Sequence, residues 1–439
     1  MATPNVTVGI DIGTSSVKAI AADDDGNVIA RSRIPHDVHV PSAQRFEHDA
    51  KVAWHAGPQR ALEALGDVKP RGVSVAAMVP SLTAVDEAGI PCTPGLLYGD
   101  DRGHQQQRSD QPEQGELMQF LTWQAAERPD ARGYWMAQAV ANNALTGDPG
   151  VSMIVAATAT PLFDWKGWDA GLVASCNARV DQLPTLHPPG QALGEVIGHP
   201  GCVLEGGTID AFAEQLVADA SGEGDVLVIL GTTLIVWCVM PERVDMPNYY
   251  AMPNTASGSF LVGGPSNAGG LFLNWATALL GTGTEPVDPA SVPIWVPYPR
   301  GERVPLNDPT RRGQLVDLDL THGPAAARRA ALESTAFATR RMIDASPVPA
   351  RRIVATGGGT RMEGWVEALA DCTGLPVHVC DVPEGGALGA AFLARLACGL
   401  ETSMTDASRW ARTARVVDPA PGWEPHVNER YARFCDVAG

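Results

Sequence analysis

The sequence predicts an α/β protein made of two similarly organised halves, and three observations carry that prediction. An apolar run, Val6 to Ile10, enters Asp11-Ile12-Gly13-Thr14-Ser15-Ser16 and leaves through Val17-Lys18-Ala19-Ile20-Ala21. The same strand, Gly-Thr turn, strand pattern returns about two hundred residues later as Val226 to Leu230, Gly231-Thr232-Thr233 and Leu234 to Trp237. Around both copies, strand-like apolar runs alternate with helix-like segments, the mark of α/β layers. The stretch Ala220-Ser221-Gly222-Glu223-Gly224-Asp225 divides the chain almost equally and has the composition of a linker. The expected domains are 1–221 and 222–439.

Taken in order, the first two strands continue into a meander. Asp23-Asp24-Asp25-Gly26-Asn27 supplies the turn and Val28 to Ser32 a third strand. A helix is expected from Asp49 to Leu65, with Asp49 as N-cap. Gly72 to Ala77 and Thr83 to Val85 read as strands, the second closed by Asp86-Glu87-Ala88-Gly89. Residues 104 to 133 are polar and Gln-rich, with Pro112, Pro129 and Gly133, and read as irregular structure with a short helix. A helix over Ala211 to Ala218 precedes the boundary. The second half should hold a long helix over Ala325 to Asp344 and a strand running into Gly357-Gly358-Gly359. A helix over Glu363 to Thr373 and an Ala-rich helix over Gly385 to Leu396, read as core packing, follow. Beyond Gly399 the chain reads as irregular, anchored by Trp410, Trp423 and Tyr431.

The length of 439 residues suffices for two full cores. A formal net charge of −18 argues against nucleic acid or an anionic membrane as partner. The eight cysteines are scattered, with no C-x-x-C, as expected of reduced thiols. The ten histidines show no metal-ligand spacing. Met1-Ala2-Thr3-Pro4-Asn5 does not resemble an export signal, and no apolar stretch approaches the ~18 residues of a membrane span. The expected location is the cytoplasm.

Two Gly-Thr turns of this kind suit a polyphosphate, because glycine lets main-chain N–H groups approach an anion closely. Asp11, at the end of the first strand, can hold Mg²⁺ directly or through water, and Lys18 would return beside the turn as a point charge. Read alone, the same residues could form an ordinary hairpin whose Asp bonds the turn backbone. Asp210, in Gly206-Gly207-Thr208-Ile209-Asp210-Ala211-Phe212, stands where a helix begins. It reads equally as an N-cap and as a general base placed to accept a hydroxyl proton. Gly357-Gly358-Gly359 would bring backbone beside a nucleoside and its α-phosphate, or form a plain turn. Asp100 and Arg102, in Tyr98-Gly99-Asp100-Asp101-Arg102, can bind polyol hydroxyls or simply form a surface ion pair.

Together these motifs resemble the FGGY carbohydrate kinases of the actin-like ATPase superfamily, from Val6 to Gly399. Gly9 to Lys18 resembles the family's first phosphate motif and Leu230 to Thr233 its second. Tyr98 to Arg102 is similar to the W-x-D-x-R segment, with tyrosine in place of tryptophan. Gly207-Thr208-Ile209-Asp210-Ala211-Phe212-Ala213 fits G-x-x-D-x-x-A, which carries the family's catalytic base. Gly301-Glu302-Arg303-Val304-Pro305, with Asn307-Asp308 and Arg312-Gly313, is similar to the G-E-R-x-P…N-D…R-G signature of pentulose kinases. Gly357 to Gly359 with Trp365, Ala370-Asp371 and Ala387 to Ala391 resembles the adenosine-binding end. Two departures fall on the sugar side. Ala77-Met78-Val79-Pro80-Ser81 stands where xylulose kinases carry G-Q-M-H-G, and the acidic residue of T-D-x-S-x-A-S is missing from Val151 to Thr160.

The resemblance implies two ribonuclease H-like domains with a central interdomain cleft, the N-terminal one binding sugar and the C-terminal one ATP. It implies ATP and Mg²⁺ as cofactors, with Asp11 as the metal residue. Gly13, Thr14, Ser15, Lys18, Gly231, Thr232, Thr233, Gly357, Gly358 and Gly359 would contact the nucleotide. Asp210 would be the catalytic base, and Val79, Pro80, Tyr98, Asp100, Arg102 and Asp210 would face a sugar, D-xylulose first, with another pentulose, a polyol or gluconate as alternatives. The partners implied are a small-molecule sugar and ATP, without nucleic acid or membrane, and with a homodimer as a candidate assembly. A chaperone or filament protein of the same superfamily would need neither Asp210 nor the G-E-R-x-P stretch. A sugar-responsive repressor would need a helix-turn-helix and a basic face.

Overall fold

Every residue of the strand Thr7–Ile12 is buried, because it lies at the centre of a sheet covered on both faces. The computed structural model of the chain describes residues 5–42, 44–102, 115–254, 257–283, 285–382 and 384–439. It separates into two compact units, Met1–Glu214 with Gly386–Trp410, and Gln215–Gly385 with Ala411–Gly439.

The first unit is built on a sheet in the order Ala192–Glu195, Val203–Glu205, Gly72–Ala77, Thr7–Ile12, Ser16–Ala22, Val28–Pro35. Thr208–Ile209 also pairs with Gly72–Ala77. The second unit repeats the plan as Thr413–Val417, Val377–Cys380, Arg352–Thr356, Asp225–Leu230, Leu234–Met240, Phe260–Ser266, with Tyr250–Pro253 added at the edge. In each, a strand ending in a Gly-Thr turn runs antiparallel to its successor and parallel to the strand on its other side. These are two ribonuclease H-like domains, so the doubled turns of the sequence belong to a doubled sheet.

The first unit also carries a smaller sheet of short strands, His39–Ser42, Arg45–His48, Gly95–Leu97, Ser81–Val85 and Gly133–Trp135. Its register sets Ser81 opposite Leu97 and His48 opposite Gly95, which joins the Val79-Pro80 turn to the Tyr98 segment.

Two segments differ from their sequence reading, and a third lies largely outside the described residues. The helix expected over 49–65 is a π-turn, Lys51–Ala56, followed by an α-helix, Gly57–Glu63. Pro58 has no N–H to continue an α-ladder backwards, and a wider turn results. Asp49 still caps the entry, its Oδ1 accepting from the Lys51 and Val52 N–H groups at 3.0 and 3.2 Å. The Gln-rich stretch lies largely outside the described residues, at 103–114; beyond it come a helix, Glu116–Glu127, and the strand Gly133–Trp135. The tail read as irregular forms the helix Glu424–Ala438, which buries Val427, Phe434 and Ala438.

The Ala-rich helix, Gly385–Ala397, packs from Gly386 onward with the first unit, whereas the sequence division at 221/222 assigns it to the second half. Small residues make this contact. The Thr7 hydroxyl donates to the Ala391 carbonyl at 2.8 Å, and Ala76, Ala213 and Ala390 cluster. Backbone meets backbone at Gly9, where a Cβ would stand 1.7 Å from the Ala387 carbonyl oxygen and 2.4 Å from the Ala391 nitrogen. Gly9→Ala is therefore expected to destabilise the protein by about 3 kcal/mol, read as a lower urea midpoint. An unchanged midpoint would contradict this packing. Among the described residues no helix is long and apolar enough to cross a membrane, and all eight cysteines are free.

Candidate active site

In the first unit, register brings separated residues to one edge of the sheet. Asp11 pairs across the hairpin with Lys18 and, on its other side, lies level with Ala76 and so with Thr208. The Gly13-Thr14-Ser15 turn, the Val79-Pro80 turn and Asp210 follow the carboxyl ends of these strands. Asp11 and Thr208 are thus two strand spacings apart, and Asp210, two residues further along, lies roughly 12 Å from Asp11 between main chains.

Asp11 is buried, and its Oδ2 pairs with Lys18 Nζ at 3.2 Å. Its other oxygen, Oδ1, is buried without a hydrogen-bond partner. The Gly13 N–H donates to the Ser16 carbonyl at 3.1 Å and closes the turn. Asp210 is half-buried at the first residue of the helix Asp210–Leu216, with Oδ1 accepting from the Ala211 N–H at 2.7 Å. Val79 and Pro80 are half-buried.

The turn is tied to the Tyr98–Arg102 segment by Tyr98, whose hydroxyl lies 3.1 Å from Thr14 Oγ1. Behind it, the fully buried Asp100 accepts four hydrogen bonds: from the Phe46 N–H at 2.7 Å, the Arg102 N–H at 2.9 Å, and Arg102 Nε and Nη2 at 2.8 and 2.6 Å. Arg102 also pairs with Glu47 and lies over the Trp123 ring, 5.0 Å from its centroid. Burial alone would lower the Arg102 pKa; the Asp100 and Glu47 carboxylates outweigh it and raise it. The sequence reading offered a surface ion pair here, whereas the Asp100–Arg102 pair is buried.

In the second unit, Gly231-Thr232-Thr233 follows the strand Asp225–Leu230. Thr356 lies level with Ile229, which sets Gly357-Gly358-Gly359 beside that turn. The helix Gly270–Leu280 starts against it: the Gly270 N–H donates to the Gly231 carbonyl at 2.9 Å and the Leu271 N–H to the Thr232 carbonyl at 3.0 Å. Arg303 Nη2 donates to Thr233 Oγ1 at 3.3 Å.

Two domain models describe this arrangement: the N-terminal domain of the FGGY family of carbohydrate kinases matches residues 6–199 and the C-terminal domain residues 226–398. The chain belongs to the FGGY family of carbohydrate kinases. This kinase is 27% identical to the xylulose kinase of Escherichia coli (strain K12), with 91% of each chain covered. It is 25% identical to the gluconokinase of Bacillus subtilis (strain 168), covering 89% of this chain and 87% of that one. Among solved structures it resembles a gluconate kinase from Lactobacillus acidophilus, with a TM-score of 0.82 at 21% identity, over 99% of this chain and 98% of that one.

Sequence reasoning missed several residues that hold the site of this kinase in shape. Glu205 is buried and accepts from the Ser74 hydroxyl and from the Gly190 and Gly207 N–H groups; burial raises its pKa despite them. Gln138 Nε2 donates to the Ala77 and Thr208 carbonyls at 3.2 and 3.0 Å, clipping the strands before the Val79-Pro80 turn and Asp210. His48 stands under the first turn. None of these carries a sequence signal, because their partners are distant in the chain. Glu302 and Arg303 were visible only as part of a signature.

Burial pushes the Glu302 carboxyl up to about 7, against hydrogen bonds from Ser266 Oγ and the Asn267 and Arg303 N–H groups. The folded protein keeps a proton there that the unfolded chain releases near 4.5. This contribution to stability is complete below pH 4.5 and is lost as pH rises towards 7, a change of about 3 kcal/mol. Glu302→Gln is expected to remove that slope relative to the parent protein in urea unfolding across this range. Identical slopes would contradict the assignment.

Proposed function

We propose that this kinase transfers the γ-phosphoryl group of ATP to the terminal primary hydroxyl of a ketose, D-xylulose first, giving D-xylulose 5-phosphate. The observation that carries the reading is the position of Asp210 on the same sheet edge as Asp11 and the first Gly-Thr turn. In the first unit the Gly13-Thr14-Ser15 turn and Lys18 are assigned to phosphate; in the second, Gly231-Thr232-Thr233 is assigned to phosphate and Gly357-Gly358-Gly359 to the nucleoside end. Tyr98, Asp100 and Arg102 frame the acceptor with Val79 and Pro80, Asp100 acting chiefly by holding Arg102. The acceptor oxygen attacks the γ-phosphorus, the bond to the β,γ-bridging oxygen breaks, and Asp210 takes the hydroxyl proton. Phosphoryl-transfer transition states are loose, so positioning and charge neutralisation contribute more than the base.

A divalent ion fits at Asp11. The Oδ1 atom is buried without a hydrogen-bond partner, and a Cβ on Gly386 would stand 3.3 Å from the Asp11 carboxyl carbon, so glycine keeps that side open. Among the described residues no group of three or more His, Cys, Asp or Glu could hold a metal. One carboxylate completed by water and phosphate oxygens is the coordination Mg²⁺ favours. Bound there, Mg²⁺ would supply charge neutralisation on the phosphates.

The G-E-R-x-P stretch and the identity to xylulose kinases support D-xylulose. Gluconate is the second reading, favoured by the identity to gluconokinase and by Val79-Pro80 standing where a sugar-facing histidine is usual in xylulose kinases. An ADP-release screen over pentuloses, hexuloses, aldonates and polyols tests both. The highest kcat/KM is expected with D-xylulose. Preference for gluconate or a polyol would reassign the acceptor, and no acceptor-stimulated release from any of them would overturn the phosphotransferase reading.

A further inference from the structure

The two Gly-Thr turns are held from behind by different parts. In the second unit the carbonyl of the residue after the turn glycine, Thr232, accepts from a main-chain donor, the Leu271 N–H at 3.0 Å. In the first unit the equivalent carbonyl, that of Thr14, accepts from a side chain, His48 Nε2 at 2.8 Å.

His48 is only 1% exposed, and its ring has a single consistent hydrogen-bonding state. Trp54 Nε1–H, which can only donate, lies 3.0 Å from Nδ1. Nδ1 must therefore accept and carry no proton, which leaves the ring hydrogen on Nε2, where the Thr14 carbonyl takes it. The next carbonyl of the turn, that of Ser15, accepts from the His36 main-chain N–H at 3.1 Å. In a trans peptide, C=O and N–H point in opposite directions. Holding the Thr14 carbonyl inward therefore turns the Ser15 N–H to the outer side of the turn, and holding the Ser15 carbonyl does the same for the Ser16 N–H.

The geometry points to His48 as a positioning residue: a neutral imidazole in one tautomer that aims the Ser15 amide at the nucleotide's phosphates, the role the Leu271 amide fills for the Thr232 peptide. This rests on the reading of the first turn as a phosphate site. Burial first, and then the neighbouring His36 ring 4.5 Å away, hold the His48 pKa down at about 4, so the ring is neutral at pH 7. His48 lies on the strand Arg45–His48, which also carries Glu47, the partner of Arg102. A general disturbance of this strand would reach the acceptor side as well, whereas loss of the aimed amide weakens the nucleotide alone.

Calorimetric titration of the full chain with MgADP tests the assignment. His48→Leu is expected to weaken MgADP about tenfold, the worth of one hydrogen bond. His48→Gln can donate to Thr14 and accept from Trp54, and is expected to stay within about threefold of the parent. Equal affinity in His48→Leu and the parent would overturn the role of His48 while leaving the nucleotide site standing; a parent that does not bind MgADP would overturn both. Should the leucine variant fail to fold, His48→Gln decides: a tenfold loss there counts against the assignment. Nitrogen NMR of the parent's histidines gives a variant-free check. A neutral His48 with its proton on Nε2 supports the inference, and one with its proton on Nδ1 overturns it.

Discussion

Asp210→Ala is expected to lower kcat by roughly 10²–10⁴ while both sheets still fold. Asp210 opens the helix Asp210–Leu216, and its Oδ1 accepts from the Ala211 N–H. Alanine removes this local contact as well as the proposed base. The contact is the smaller loss: a helix-terminal carboxylate contributes on the order of 1 kcal/mol to stability, little against a chain of two cores. The loss in turnover is expected because the acceptor hydroxyl must shed its proton as it attacks. Thermal unfolding close to the parent's, with turnover reduced and MgADP affinity kept, separates the two effects. Near-parental turnover in Asp210→Ala would reject the assignment.

Asp11→Ala is expected to raise the Mg²⁺ concentration for half-maximal activity by at least roughly tenfold. The argument rests on the asymmetry of this carboxylate: Oδ2 is engaged by Lys18 at 3.2 Å, whereas Oδ1 is buried and unsatisfied. An unsatisfied buried carboxylate oxygen is costly unless a cation or donor compensates it when the protein works. The second turn has Ile229 at the corresponding place, two residues before its glycine, and carries no such oxygen. The single Mg²⁺ proposed above therefore belongs with Asp11. An unchanged metal titration in Asp11→Ala would count against it.

Much of this was legible because it is written locally. An apolar run closed by glycine and threonine is a local signal of strand and turn, so the doubled sheet, Asp11 with Lys18, and Gly357-Gly358-Gly359 could be read directly. The placement of Asp210 at a helix start was equally local. What could not be read depends on which distant backbone comes close. Nothing in Gly385–Ala397 says which sheet it covers; the partners that decide it, Thr7 and Gly9, lie nearly the whole chain away. The burial of Asp100 and Arg102 follows from Phe46 and Glu47, supplied by a short strand the sequence does not announce. The tyrosine in place of tryptophan at 98 gains meaning only once its hydroxyl is seen beside Thr14. The helix Glu424–Ala438 is a different case. Its buried Val427, Phe434 and Ala438 keep helical spacing, but charged residues between them masked the pattern.

The central claim is that a carboxylate at the end of one short strand accepts the proton from an alcohol as it takes a phosphoryl group positioned by the neighbouring Gly-Thr turn. Transfer of labelled γ-phosphate from ATP to D-xylulose, followed in the parent and in Asp210→Asn, tests it most directly, since asparagine keeps the size and hydrogen bonding of the side chain and removes its basicity. The account predicts labelled sugar phosphate from the parent and transfer slower by roughly 10² or more in Asp210→Asn, at equal MgADP affinity. Transfer by Asp210→Asn at the parent's rate would contradict it.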